Sequence, residues 1–216
     1  MPYYLLTIAT LDAVSGAVAL AVAYAAYRYS RLVSGSVPAF LGLSFSLLGL
    51  GLVLQGALAW LLYVHLSLAY ARLFIVSSYL YLLLQVAAYL ALAVGYTEIT
   101  YYGALAAPLP MLGSGVPISP FPALRRALVV DPTFFDAVQL TSIVLLALVV
   151  FDAVQLRSRG SFSGLVLGAF LLMLAGHVLM LAYPLGFLGY YLIGSLVRFS
   201  GFVLLLAFLL RGKHIV

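Results

Sequence analysis

The sequence predicts an all-α fold, a polytopic transmembrane bundle of six helices with a 3+3 internal duplication. Composition is the first reason. Hydrophobic residues make up 66% of the chain, charged residues only 7%, and mean hydropathy is +1.24. A water-soluble domain carries about 25% charged residues to solvate its surface, so lipid must take over that burial. The second reason is length: six separate stretches are each long and apolar enough for the roughly 20 residues a bilayer core demands. The third is that the last three stretches repeat features of the first three in the same order.

The first helix is expected at about 4 to 27, framed by Tyr3, Tyr4, Tyr27 and Tyr29. Amphipathic rings prefer the headgroup level. The N-terminus lacks the basic region of a cleavable signal peptide, so this helix is expected to stay in the mature protein. It carries Asp12 about two turns in. Ala13, Ala17, Ala21 and Ala25 form a four-residue-spaced stripe, a surface on which another helix can pack closely where no hydrophobic drive exists. Helices two and three follow at about 38 to 63 and 70 to 95, with Gln55 and Gln85 inside them and Trp60, Tyr63 and Tyr70 at the turn between. Helix four, about 133 to 156, begins and ends in the same hexapeptide, Phe-Asp-Ala-Val-Gln-Leu, which places Asp136 near one interface and Asp152 near the other. Helix five, about 163 to 183, has a shorter small-residue stripe, Gly164 and Gly168, and His177 near its middle. Helix six, about 187 to 210, carries Arg198 eleven or twelve residues from either end.

The duplication divides the chain into a first three-helix repeat over 1–95, a Pro-rich apolar linker over 96–132 and a second repeat over 133–216. Leu11-Asp12-Ala13-Val14 aligns with Phe135-Asp136-Ala137-Val138, Leu41-Gly42 with Leu167-Gly168, and Leu84 to Tyr89 with Val197 to Phe202, which sets Gln85 opposite Arg198. If the two third helices meet near a pseudo-two-fold axis, those two side chains lie together at mid-depth, where transporters of repeated architecture bind cargo.

The linker is uncharged from Ile99 to Leu124 and is long enough to cross, but Pro108, Pro110, Pro117, Pro120 and Pro122 oppose a regular helix. With six spans the basic residues split five to four, Arg72, Arg157, Arg159, Arg211 and Lys213 against Arg28, Arg31, Arg125 and Arg126. A seventh crossing moves them to six against three with the N-terminus outside, as the positive-inside rule prefers, and makes the halves parallel. The proline spacing favours six spans, with the linker an apolar loop, re-entrant or lying on the membrane.

Absences narrow the chemistry. There is no Cys, hence no disulfide, thiolate metal site or Cys nucleophile. With no Asn either, the composition is thermophile-like. The single Lys, Lys213, is in the tail, which excludes a retinal Schiff base. His65 and His214 lie too far from the depth of His177 for a bis-histidine haem or an all-protein zinc site. No P-loop, HExxH or GxSxG motif is present. Ten basic residues against five acids suit anionic headgroups rather than nucleic acid, because they sit singly or in pairs at the ends of apolar runs.

The polar residues within the helices are therefore the candidate intramembrane site: Arg198, Asp12, Asp136, Gln85 and His177. An ionisable group at this depth costs about 2.5 to 3.5 kcal/mol on insertion scales and faces protein or water, so Arg198 is expected to find Asp12, Asp136 or Asp152. The expectation for the whole is a non-enzymatic, multi-pass cell-membrane protein without cofactor or metal. It acts as an embedded subunit or scaffold that packs against other membrane proteins or itself. The alternative is a small transporter or channel with its site at the repeat interface.

Overall fold

The computed structural model describes residues 2–31, 36–100, 131–159, 163–181 and 188–211. Among them the chain is helical throughout, with α1 at Pro2–Ser30, α2 at Val37–His65, α3 at Leu68–Thr100, α4 at Pro132–Ser158, α5 at Gly164–Leu181 and α6 at Leu188–Arg211. Every one of these helices is long and apolar enough to cross a membrane. The protein is thus a multi-pass integral membrane protein. Helices are the form such a segment must take, because backbone N–H and C=O groups find no partner in lipid except each other.

Local chemistry sets the ends. Pro132 opens α4 where its missing N–H costs nothing, and Asp131 caps it, its Oδ1 accepting from the Thr133 N–H at 2.9 Å. Only Leu66 and Ser67 separate α2 from α3, and Leu66 takes a left-handed φ of 45° to close α2, its N–H bonding to Leu62 O. Helix α3 runs five residues past the expected boundary at 95. Most of the linker, 101–130, lies outside the described residues, as do the tyrosines at 101, 102 and 183 and Lys213.

The helices pack as a ring in chain order, with α6 closing back on α1. Leucines, valines and aromatics such as Leu50, Leu83, Val144, Phe151, Ile193 and Leu196 point outward, the inverse of a soluble domain. Helices consecutive in the chain are antiparallel with one exception. Gly56 faces Ala13 while Gly42 faces Ala23, which runs α1 against α2; Gly51 faces Tyr81 while Gly95 faces Phe40, which does the same for α2 and α3. Gly176 meets Gly194 and Gly201 meets Ala169, so α5 and α6 are also antiparallel.

The exception is α3 with α4. The Asp131 N–H donates to Tyr79 OH, Gln85 to Ser142 and Thr97 to Asp152, numbers that rise together along both helices. These two helices are parallel. Consequently the starts of α1, α3, α4 and α6 share one end of the bundle, here the near end, and their C-termini share the far end. Arg28, Arg31, Arg157, Arg159 and Arg211 gather at the far end, and Arg72 is at the near end. Thr100 and Asp131 lie at opposite ends of the bundle. The six spans expected from the sequence are present, and the expected linker loop over 96–132 falls mostly outside the described residues. Hydrophobic pattern specifies which face of a helix is buried, but not the direction in which it runs.

The endogenous chain has no cysteine, which makes this layout easy to check. Single cysteines placed at Ser30 and Ser158 are expected to react with a membrane-impermeant thiol reagent from the same side of sealed vesicles, and one at Leu66 from the other. Labelling of Ser30→Cys and Ser158→Cys from opposite sides would contradict parallel α3 and α4.

Candidate functional site at the bundle centre

The centre of the ring is polar. Helix periodicity explains how the side chains get there: Tyr81, Gln85 and Tyr89 recur every four residues and share one face of α3, Gln139 and Ser142 share a face of α4, and Ser195, Arg198 and Phe202 share a face of α6. On the neighbouring stripe of α6, Gly194 and Gly201 allow α5 to approach so closely that a Cβ on Gly176 would lie 2.7 Å from Gly194 O. That seam brings His177, the residue after Gly176, to the same depth as Arg198.

Arg198 is 2% exposed. It stands ten residues from Leu188 and thirteen from Arg211, about 15 and 20 Å of helix, too deep to reach a headgroup easily. Its Nη1 donates to Tyr81 OH and, at 3.3 Å, to Gln85 Oε1. The guanidinium carbon lies 5.8 Å from the centre of the Tyr81 ring and 5.9 Å from that of Phe202, within cation–π range. Gln85 then passes its own N–H to Ser142 Oγ at 3.0 Å. One face of α3 thus ties α6 to α4 through a side chain with no exposed surface. Gln85 and Arg198, aligned by the internal comparison of the two halves, are in direct contact.

A second buried chain runs beside the first. His177 Nδ1 is 2.6 Å from Gln139 Oε1, and its Nε2 is 2.7 Å from Tyr89 OH. An amide oxygen can only accept, so Nδ1 carries the proton. A neutral ring then accepts at Nε2 from the Tyr89 hydroxyl. Both ring nitrogens are engaged, which leaves no lone pair for a metal or haem. Among the described residues no group of three His, Cys, Asp or Glu side chains is placed to hold a metal ion.

Asp12 is 1% exposed on α1. It stands close enough to Arg198 for each to act on the other electrostatically, and Tyr81 feels both charges. The two do not form the contact ion pair expected from the sequence. Asp12 Oδ2 and Arg198 Nε have no hydrogen-bond partner at all. No protein-family model, no curated protein and no solved structure matches the chain, so its chemistry has to be read from the residues themselves.

The remaining sequence candidates fall outside this cluster. Asp152 accepts from Thr97 at 3.0 Å, toward the far end. Asp136 is half-buried in the near half, with its Oδ1 unpartnered, as is the Oε1 of Gln55 on α2. Of the alanine stripe, Ala13 and Ala17 are exposed, Ala21 is half-buried and Ala25 is buried. Gly164 is exposed beside the Arg157 side chain, and Gly168 has Leu204 as its neighbour at ordinary contact distance. Close approach is instead carried by Gly16, Gly49 and Gly56 between α1 and α2, and by Gly176, Gly194 and Gly201 between α5 and α6.

Sequence reasoning did not single out Tyr81, Tyr89 or Ser142. The available signal was depth: Tyr81 and Tyr89 lie more than ten residues from either end of α3, where an interfacial role is impossible. Beyond Arg198 toward the far end the centre turns apolar and aromatic. Phe45 and Phe202 meet edge to face at 5.4 Å, and Tyr96 and Phe170 do so at 5.3 Å.

Proposed function

We propose that this protein is a small carrier that binds its cargo at the bundle centre, around Arg198, Asp12, Tyr81 and Gln85. The observation that carries the reading is a guanidinium at mid-depth with no carboxylate in contact and a free N–H, beside a buried carboxylate with a free oxygen. A structural ion pair would close on itself. Two opposite charges held apart keep their open valences for something else, and ionisable groups at such depth are by default candidates for a substrate path.

The distribution of polarity supports the same reading. Unpartnered oxygens of Asp12, Gln55, Asp136 and Ser195 lie in the near half and that of Ser44 in the far half, where the Phe45–Phe202 and Tyr96–Phe170 ring contacts also lie. That asymmetry fits a site more polar toward one side and lined by aromatic rings toward the other, as alternating access can use. The basic residues of the far end favour a cytoplasmic position for that end by the positive-inside rule, with the near end outside. Among the described residues the split is five to one, Arg28, Arg31, Arg157, Arg159 and Arg211 against Arg72.

Reconstitution tests the proposal. Proteoliposomes exposed to gradients of small organic solutes and followed by stopped-flow light scattering are expected to show protein-dependent solute uptake. The double variant Asp12→Asn/Arg198→Gln, whose core is neutral and similar in shape, is expected to lose it while keeping its helical circular dichroism. Unchanged uptake in that variant, or rates equal to empty vesicles for every solute, would reject the carrier.

A second reading, an embedded subunit that docks other membrane proteins, is favoured by one observation: Ala13 and Ala17 remain exposed on α1 and leave a small-residue strip facing lipid. Purification from native membranes in mild detergent separates the two readings, since a subunit co-migrates with other chains and a carrier need not.

A further inference from the structure

We infer that the ligand of the central site is a small zwitterion with an apolar side chain, its carboxylate held by Arg198 and its cationic nitrogen by Asp12. The inference rests on the carrier reading and adds the chemical class of the cargo.

Charge balance comes first. Arg198 and Asp12 are both essentially without exposed surface and sense one another, yet they are not in contact. Attraction between opposite charges is strong in a low-dielectric interior, so a lone anion on Arg198 would also meet repulsion from Asp12. A lone cation on Asp12 would meet the same from Arg198. A zwitterion meets neither, because each of its ends faces its complement and the whole site stays neutral. This is the one ligand class that uses both buried charges without having to discharge one of them.

The donors and acceptors agree. Of the five N–H donors of a guanidinium, Nη1 serves Tyr81 and Gln85, while Nε has no partner and is available to a carboxylate. The Tyr81 hydroxyl already accepts from Arg198 and keeps its own proton to donate. On the other side, Asp12 Oδ2 offers an acceptor and no donor, which suits an ammonium. The apolar walls are the rings of Phe202, beside the guanidinium, and Phe45, packed on its edge. A substituent next to the charged ends would lie against them.

The distinguishing experiment compares one skeleton with either charge removed. Wild-type protein in lipid nanodiscs is titrated calorimetrically at neutral pH with L-leucine, with 4-methylpentanoate, which lacks the ammonium, and with isopentylamine, which lacks the carboxylate. Glycine and L-phenylalanine bracket the side-chain size. At least one of the three amino acids is expected to bind about tenfold or more tightly than either single-charge analogue. Asp12→Asn is expected to reduce leucine to the level of 4-methylpentanoate without weakening the latter. If that variant does not fold, the double variant Asp12→Asn/Arg198→Gln serves instead and is expected to lose all discrimination among the three skeletons.

Binding of 4-methylpentanoate as tight as that of leucine would overturn the inference in favour of a monoanion while leaving the carrier reading in place. Failure of all three amino acids to bind would overturn it as well. Leucine binding without counterflow in proteoliposomes would instead sink the carrier reading and keep the ligand class.

Discussion

Arg198→Gln is expected to lower the unfolding free energy of the bundle by about 3 kcal/mol, because removing one of two buried opposite charges leaves the other uncompensated. Adding Asp12→Asn is expected to restore about two-thirds of that loss. The hydrogen bonds from Arg198 to Tyr81 and Gln85 are the part the double variant does not recover, and interhelical hydrogen bonds in membranes average only about 0.6 kcal/mol each. The electrostatic share should therefore exceed the hydrogen-bond share, with a coupling energy of at least about 2 kcal/mol, toward the upper end of the range seen for interacting neighbours. Steric-trapping or detergent-unfolding measurements on wild type, both single variants and the double variant yield the cycle. Strictly additive losses would mean that Asp12 and Arg198 do not sense each other, and both the carrier and its zwitterionic ligand would lose their basis.

The same energetics explain what could be read from the chain before its fold was known. A charge in lipid is so costly that Arg198 had to be buried and partnered wherever the helices went, and Gln85, which it contacts, was already among the polar residues expected at that depth. The six spans were legible because hydropathy acts on each segment independently. The partner of Arg198 was not. A carboxylate was the obvious choice on charge alone, but Tyr81 and Gln85 project from the face of α3 turned to the centre, and which face turns inward depends on packing. Tyrosine is ambiguous in any membrane sequence, since its phenol suits an interface and an interior hydrogen bond equally. Tyr89, bonded to His177, is the interior kind.

Helix direction was hidden for a related reason. The register of Tyr79, Gln85 and Thr97 against Asp131, Ser142 and Asp152 is a tertiary fact with no trace in the periodicity of either helix. Only the distribution of arginines carried it. The six-to-three split pointed to parallel halves, and the prolines of the linker pointed away from them. Proline disfavours a regular helix, which is a statement about conformation and says nothing about which side of the membrane a chain emerges on.

Gly176→Ala is expected to be among the most damaging single-methyl changes in the protein. An added Cβ would stand 2.7 Å from Gly194 O and 2.9 Å from both the backbone N and the Cβ of Arg198, contacts with backbone and near-backbone atoms that no side-chain rotation relieves. The helices must separate, and overpacking of this kind costs about 3 kcal/mol at the upper end of its usual range. Separation also moves the residues that follow from the seam. His177 would draw away from Tyr89, and Arg198 from Tyr81, so ligand binding should weaken along with stability. Gly168→Ala is the matching control on the same helix. Its Cβ would meet only Leu204 Cδ2 at 3.5 Å, an ordinary contact, and alanine favours the helix over glycine by about 1 kcal/mol. Thermal unfolding of the two variants side by side is expected to show Gly168→Ala at or slightly above wild type and Gly176→Ala well below it. Equal melting temperatures would mean that α5 and α6 are not held together by the glycine seam, and that the depth at which His177 and Arg198 meet is set by something else.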